Sequence, residues 1–272
     1  MRVAVVGHVE WVEFATVEQV PRTGQIVEAS ETWGEPAGGG GVAAVQLARL
    51  ARGASFFTAL GDDELGSSSR SRLAELGVGV HAATRSEPTR RAFVFLDASG
   101  ERTITTIGKR LFPRGSDALP WGALGETDAV YLTSGDPEAV RLARTARVLV
   151  VTPRAGSPLE TVTADALVYS AHDDREREWA AAMAPQPRLV VATEGRDGGS
   201  WRAADGSGGR WEPALPPGPL IDQYGAGDCF AAGLTFGLGA GKPVADAIAL
   251  AARCGAWCAS GHGPYENQLR QA

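Results

Sequence analysis

The sequence predicts an α/β fold: a central, mostly parallel sheet with helices on both faces and a small second sheet beside it. Two observations carry this expectation. From about residue 36 onward, short β-rich runs alternate with alanine- and leucine-rich runs of helical spacing, the pattern of a parallel sheet covered on both sides. Two stretches break that rhythm. Residues 9–33 look extended, with Pro21 and Gly24 as turn residues, and residues 90–107 form two β-rich arms around Ser99-Gly100. With 272 residues, 44% of them hydrophobic, the chain has ample material for a core, and no repeat or long linker divides 1–272 into separate domains.

Met1-Arg2 leads straight into Val3–Gly7, a buried first strand too short for the apolar core of an export signal. Spacing then predicts a helix over Val42–Leu50, a strand over Ala54–Ala59 and a helix over Leu65–Leu76. After the hairpin arms Arg91–Asp97 and Arg102–Ile107 come the strand Ala129–Leu132, the helix Pro137–Ala146 and the strand Val148–Val151. The strand Ala166–Tyr169, the helix Glu176–Met183 and the strand Leu189–Ala192 follow. Two successive helices, about 227–239 and 243–260, are expected to pack side by side.

Charge excludes several function classes. The net charge is −6 and no basic tract offsets the acids, which argues against a nucleic-acid binder. No apolar run approaches the roughly 18–20 residues of a membrane span. Cys229, Cys254 and Cys258 lack Cys-x-x-Cys spacing and fit buried thiols of a reducing cytoplasm better than a zinc site. A cytoplasmic protein acting on a small molecule is the expectation.

Residues 222–235 hold the most specific chemistry. Gly225, Ala226 and Gly227 leave backbone amides bare, and Phe230, Leu234 and Leu238 repeat at helical spacing, so a helix should begin near Gly227. Unpaired amides at a helix N-terminus attract anions. Asp228 stands in the first turn, able to take a proton from a hydroxyl held beside the anion. An isolated stretch of this kind is also consistent with a tight turn and a cap.

The fuller pattern resembles the C-terminal signature of the PfkB family of carbohydrate kinases, also called the ribokinase family. Asp222, Gly225, Ala226, Gly227, Asp228, Phe230, Ala232 and Gly233 match it, while Gln223 and Tyr224 replace small or hydroxyl residues. The resemblance implies a ribokinase-like fold whose lid comes from residues 9–33 and 90–107. It also implies transfer of the γ-phosphoryl group of ATP, with Mg²⁺, to a hydroxyl of a sugar-like acceptor. Asp228 would be the base and the amides of Gly225–Asp228 the anion hole, with Asp222 beside a monovalent-cation site for K⁺. Thr193-Glu194-Gly195-Arg196-Asp197-Gly198 is similar to the family's nucleotide loop, so Thr193, Gly195 and Gly198 would line the phosphates, with Ala252 and Gly255 against adenine. The family's Asn-x-x-Glu falls on Ser170-Ala171-His172-Asp173, which makes Asp173 a candidate for holding Mg²⁺ through water; the same acids would also favour the start of the next helix. Thr152-Pro153-Arg154 lies where many relatives carry Asp-Pro-Asn.

The acceptor end matches less well. Pro36, Gly38, Gly40 and Ala48-Arg49-Leu50 fit the N-terminal signature, with Gly39 and the rest of Gly38–Gly41 close to the acceptor, but Val42 stands where the family has an Asn that grips hydroxyls. Glu10 and Val12 stand at the Asn and Asp of its Gly-x-x-Asn-x-Asp segment. Glu10 can still accept bonds from two adjacent hydroxyls, and Trp11 could stack on a ligand or simply pack. His8 reads as a core residue, and Gly61–Gly66 as a loop capping the helix from Leu65. Gly241-Lys242 lacks the glycine spacing and hydroxyl of a Walker loop.

Three readings follow: an active kinase of a sugar, polyol, inositol or nucleoside; a kinase-derived binding or regulatory protein that has lost catalysis; and, far behind, a dinucleotide enzyme using Gly38, Gly40 and Ala43. A homodimer formed through the lid is a further expectation.

Overall fold

A computed structural model describes residues 1–271. The main sheet begins with strand β1 (Val3–Val6), a run of valines and alanine with no polar face, as a strand buried on both sides requires. Its alternate residues face opposite layers: Val3 and Val5 enter one apolar cluster, Ala4 and Val6 the other. Around β1 lie β4 (Ala54–Gly61), β5 (Val78–Arg85), β8 (Ala129–Leu132), β9 (Val148–Val151), β10 (Ala166–Ser170) and β11 (Leu189–Thr193), all parallel. The antiparallel strands β12 (Gly199–Ala203) and β13 (Gly208–Trp211) complete the order β13-β12-β11-β10-β9-β8-β1-β4-β5.

Helices α1 (Gly38–Ala51), α2 (Glu64–Glu75), α5 (Ala226–Gly239) and α6 (Val244–Cys258) pack on the layer with Val3 and Val5. Helices α3 (Pro137–Ala143) and α4 (Asp174–Ala182) pack on the other. This is the expected ribokinase-like architecture. The strands between 54 and 193 foreseen from apolar runs are present, and α5 and α6 pack side by side.

The differences have local causes. β5, β12 and β13 were not foreseen, because each is only partly buried and lacks a clean apolar alternation. α1 starts four residues before Val42, within the glycines, because only a residue without a side chain fits where Gly40 crosses the backbone of His8. α3 stops at Ala143, three residues short of Ala146.

A second sheet has the order β3-β2-β6-β7, built from β2 (Glu10–Thr16), β3 (Glu31–Ala37), β6 (Arg91–Leu96) and β7 (Arg102–Ile107). Alternation along β2 buries Glu10, Val12 and Phe14 and turns Trp11 and Glu13 to the opposite face. Trp11 lies across Gly34 of β3. It therefore cannot stack on a ligand at Glu10, and packing is its role.

Asp63 fixes the entry into this sheet. Its carboxylate caps α2 through the Gly66 amide (2.7 Å) and accepts both the amide and the hydroxyl of Thr89 (2.7 and 2.6 Å). Burial alone would raise its pKa; these bonds, led by the Thr89 hydroxyl, outweigh it and hold the carboxyl low. The Gly61–Gly66 loop is thus a cap, as expected, and it also sets the position of the residue after Thr89, Arg90.

Candidate active site

The loop 222–225 enters α5 as the glycine pattern foretold. Gly225 caps the helix in the left-handed region (φ 82°), and its carbonyl accepts the Cys229 amide at 2.9 Å. Asp222 is 1% exposed and serves as the anchor of the turn. One oxygen accepts the Tyr224 amide (2.7 Å), the other the Gly263 amide (3.1 Å). Burial raises its pKa and those two bonds oppose the rise. A K⁺ ion at Asp222 would have to share oxygens already engaged in this way.

Tyr224, one of the two departures from the family pattern, is buried and accepts the Gly38 amide on its hydroxyl at 3.2 Å. Nothing in the spacing of the sequence announces this bond. It ties the start of α1 to the start of α5, so that two helix N-termini converge. Gly39 lies between them: a Cβ there would sit 3.0 Å from Asp228 Oδ1 and 3.7 Å from the His8 ring.

Asp228 is half-buried in the first turn of α5. Enclosure by protein raises its carboxyl pKa; Arg154 and Arg102 pull it down and Glu176 pushes it up. Such a carboxylate is a stronger base than an exposed Asp. His8, directly beneath, is 5% exposed, and burial together with Arg110, Arg90 and Arg154 drives its pKa well below the usual value, so the ring is neutral.

On one side of Asp228 opens a cavity of about 370 Å³. Thr193, Gly195, Gly198, Ala252 and Gly255, proposed from sequence for the nucleotide, all line it, together with Ala226 and Gly227. Sequence reasoning missed Trp211, which stacks on Phe230 (5.7 Å between centroids, 25°), and the Pro213–Leu215 segment that forms an outer wall. Trp211 comes from β13, a strand too short and too glycine-rich to be legible. The small sheet reaches this side too: Gln223 donates to Glu101 at 2.6 Å, just past the Ser99-Gly100 turn.

The candidate magnesium acid has the helix-start role that the sequence also allowed. Asp173 caps α4, its Oδ1 accepting the amides of Arg175 and Glu176 (3.0 and 3.1 Å). The acid whose charge reaches Asp228 is Glu176, three residues on, one helical turn into α4. Glu176 is buried, receives the Ser170 amide (2.8 Å) and pairs with Arg154 at 2.5 Å.

The candidate acceptor residues divide by burial. Gly38 and Gly39 face His8, Glu10 and Asp228. Gly40 packs on the His8 backbone, and Val42 is fully buried against Gly225. Val12 is likewise fully buried. Glu10 is 7% exposed and lies 3.2 Å from Arg90 Nε, with its Oε2 left without a hydrogen bond. The dinucleotide reading fails on topology: Gly38–Gly41 follows β3, which pairs antiparallel with β2 in the small sheet, not a strand of the main parallel sheet.

Comparison with known proteins agrees with this fold. The family model for pfkB family carbohydrate kinases matches residues 1–158 and 159–271. An ATP-dependent ribose-1-phosphate kinase from Halopiger xanaduensis is 29% identical over 97% of this chain and 93% of its own length. A fructokinase from Klebsiella pneumoniae is 30% identical over 87% of this chain and 91% of its own. Among solved structures, ribokinase from Arabidopsis thaliana complexed with ribose and ATP superimposes with a TM-score of 0.76 at 18% identity, covering 99% of this chain and 96% of that one. No helix among the described residues is long and apolar enough to cross a membrane. With the family model spanning both halves of the chain over a ribokinase-like fold, this protein belongs to the pfkB family of carbohydrate kinases.

Proposed function

We propose that the protein transfers the γ-phosphoryl group of ATP to a hydroxyl of a sugar or sugar-like acceptor, with Asp228 as general base. One observation carries this: Asp228 directly follows Ala226 and Gly227 of the cavity lined by the β11–β12 loop and α5–α6, and its Oδ1 lies 3.0 Å from a Cβ placed on Gly39, beside His8 and Glu10. The acceptor oxygen forms a bond to the γ-phosphorus, the bond from that phosphorus to the ADP oxygen breaks, and the hydroxyl proton passes to Asp228. Amides at the start of α5 face the transferring group and stabilise its charge by several kcal/mol when held in place, about the scale of a preorganised anion hole. Adenine is assigned to the apolar walls near Trp211, Ala252 and Gly255.

Bound Mg²⁺ would neutralise charge on the nucleotide phosphates. Glu176 and Asp173 are the acids at that end, and their existing partners leave room for contact through water rather than direct ligation. The small sheet acts as a lid, resting on the 221–223 loop. Its outer strand β7 is exposed along its whole length, including Ile104 and Ile107. An open edge of this kind pairs readily with a second chain, and elution of the protein at twice its monomer mass is the expected result.

The buried valines at 12 and 42 favour a second reading, a ligand-binding protein without turnover. ATP consumption across neutral sugars, phosphorylated sugars, inositols and nucleosides separates the two; silence with every acceptor would overturn the kinase reading. The pH profile tests Asp228 itself. The charges facing it are Arg154 and Arg102, which favour its ionised form, and Glu176 and Glu10, which oppose it. Because its pKa is raised, kcat/KM should fall on acidification at a pH above that of an ordinary Asp. Arg154→Met should move that limb to higher pH and Glu176→Gln to lower pH. Limbs that stay put in both variants would assign the titration elsewhere.

A further inference from the structure

Three guanidinium groups from three separate elements come together near Glu10 and His8. Arg90 stands at the start of β6, Arg110 on the return from β7, and Arg154 after β9. All three charges are felt at both His8 and Glu10, the residues that Gly38 and Gly39 face. Two of the three have carboxylate partners: Arg90 approaches Glu10 at 3.2 Å and Arg154 binds Glu176 at 2.5 Å.

Arg110 has none among the described residues. Its Nη1 donates to the Arg154 carbonyl at 3.2 Å, and its Nε is buried without a partner. Arg90 Nε and Glu10 Oε2 are also buried without a hydrogen bond, since their contact is close but poorly aligned. Burial, then the like charge of Arg90, make the Arg110 cation less favourable than in water; Glu10 opposes this in part without pairing, and Arg154 adds to it. A guanidinium cannot shed its proton to escape that cost.

The cluster is nonetheless held firmly. Arg85 forms a two-pronged ion pair with Asp117 (2.8 and 2.7 Å) and donates to the Phe112 carbonyl at 3.1 Å, pinning the loop that carries Arg110. Asp63 pins Thr89 beside Arg90. Meanwhile Val12 and Val42, at the positions where the family grips hydroxyls, are fully buried.

We propose that the acceptor itself carries an anionic group, a phosphate or a carboxylate, which Arg110 receives together with Arg90 and Arg154. The planar fork of a guanidinium suits both groups, and an incoming anion supplies the counter-charge that Arg110 lacks. Phosphoryl transfer then adds a second anionic group at a hydroxyl of the same molecule, its proton going to Asp228 and ADP leaving. The names of the relatives include both a neutral sugar and a phosphorylated one, so kinship alone does not decide the charge.

The proposal rests on the kinase reading above, so binding and transfer are measured separately. The probes are ribose, ribose 1-phosphate, ribose 5-phosphate, fructose, fructose 6-phosphate, glucose and gluconate. Calorimetry on the full chain should show at least one anionic probe binding tenfold or more tightly than its neutral parent, and Arg110→Gln should reduce that ratio below about two, with Arg110→Lys keeping part of it. Circular dichroism and melting confirm that both variants fold. A preference for the sugar phosphates assigns a phosphate, and a preference for gluconate alone a carboxylate. Anionic binding without ATP turnover would sink the kinase reading and leave this one standing. Turnover of neutral sugars at equal or better kcat/KM than every anionic probe, no binding of any anionic probe, or an unchanged ratio in Arg110→Gln would overturn it.

Discussion

Asp228→Asn should lower kcat by about 10²–10⁴-fold, the range that a positioned general base contributes, without loss of fold. Asn keeps the size and the hydrogen-bonding shape of the side chain but cannot accept the acceptor's proton. Stability should move the other way. The folded protein raises the pKa of this carboxyl chiefly by enclosing it, so ionisation is harder in the folded chain than in the unfolded one. A carboxyl raised in this sense stabilises the fold at low pH and loses that contribution as pH rises through its folded pKa. At neutral pH the Asn variant should therefore melt at or above the wild-type temperature, and the difference should vanish below the ordinary Asp pKa. Turnover is read in a coupled ADP assay and melting by circular dichroism. Full activity in the variant would remove Asp228 from the mechanism; a lower melting temperature would mean that the lost activity reflects damage to α5.

Gly225→Ala should cost about 10²–10³-fold in kcat, comparable with losing one donor of an anion hole. Two effects add. Gly225 has φ 82°, a conformation that costs an L-residue about 1–2 kcal/mol. An added Cβ would also lie 2.9 Å from Val42 Cγ1 and 3.3 Å from Pro264 Cβ, both buried and unable to yield far. The amides that follow would turn away from the transferring phosphoryl group. Pairing Gly225→Ala with Val42→Ala relieves the contact but not the dihedral, so the double variant should recover only part of the rate. Recovery to the wild-type value would show that crowding alone governs the loop; no loss in the single variant would show that its amides do not face the reacting group.

Val42 illustrates where the sequence was legible and where it was not. Its position in the glycine signature was readable, and so was its failure to supply an amide side chain. That it lies beneath Gly225, shaping the anion loop from the other end of the chain, depends on α1 packing against α5. Trp11 and Glu10 are neighbours in sequence on opposite faces of β2, and strand pairing decides which of them meets Gly38. Asp173 and Glu176 were both visible as acids, but the start of α4 decided that the first caps the helix and the second points inward. Arg90 and Arg110 are separated by a hairpin and belong to no spacing rule; folding of the small sheet brings them together.

The sequence by itself determined the α/β class, most of the parallel strands along the chain, and the glycine–acid turn at 225–228 with its helix. These are local properties: apolar period, glycine at a left-handed position, and a carboxylate in the first turn of a helix. Only the tertiary structure decided which charges meet near Glu10 and His8. Arg90, Arg110, Arg154, Glu10 and Glu176 come from five separate elements, and their mutual fields exist only once the sheets have packed. The glycine–acid turn was therefore readable from one stretch of chain, while the charges gathered near Glu10 had to wait for the packed sheets.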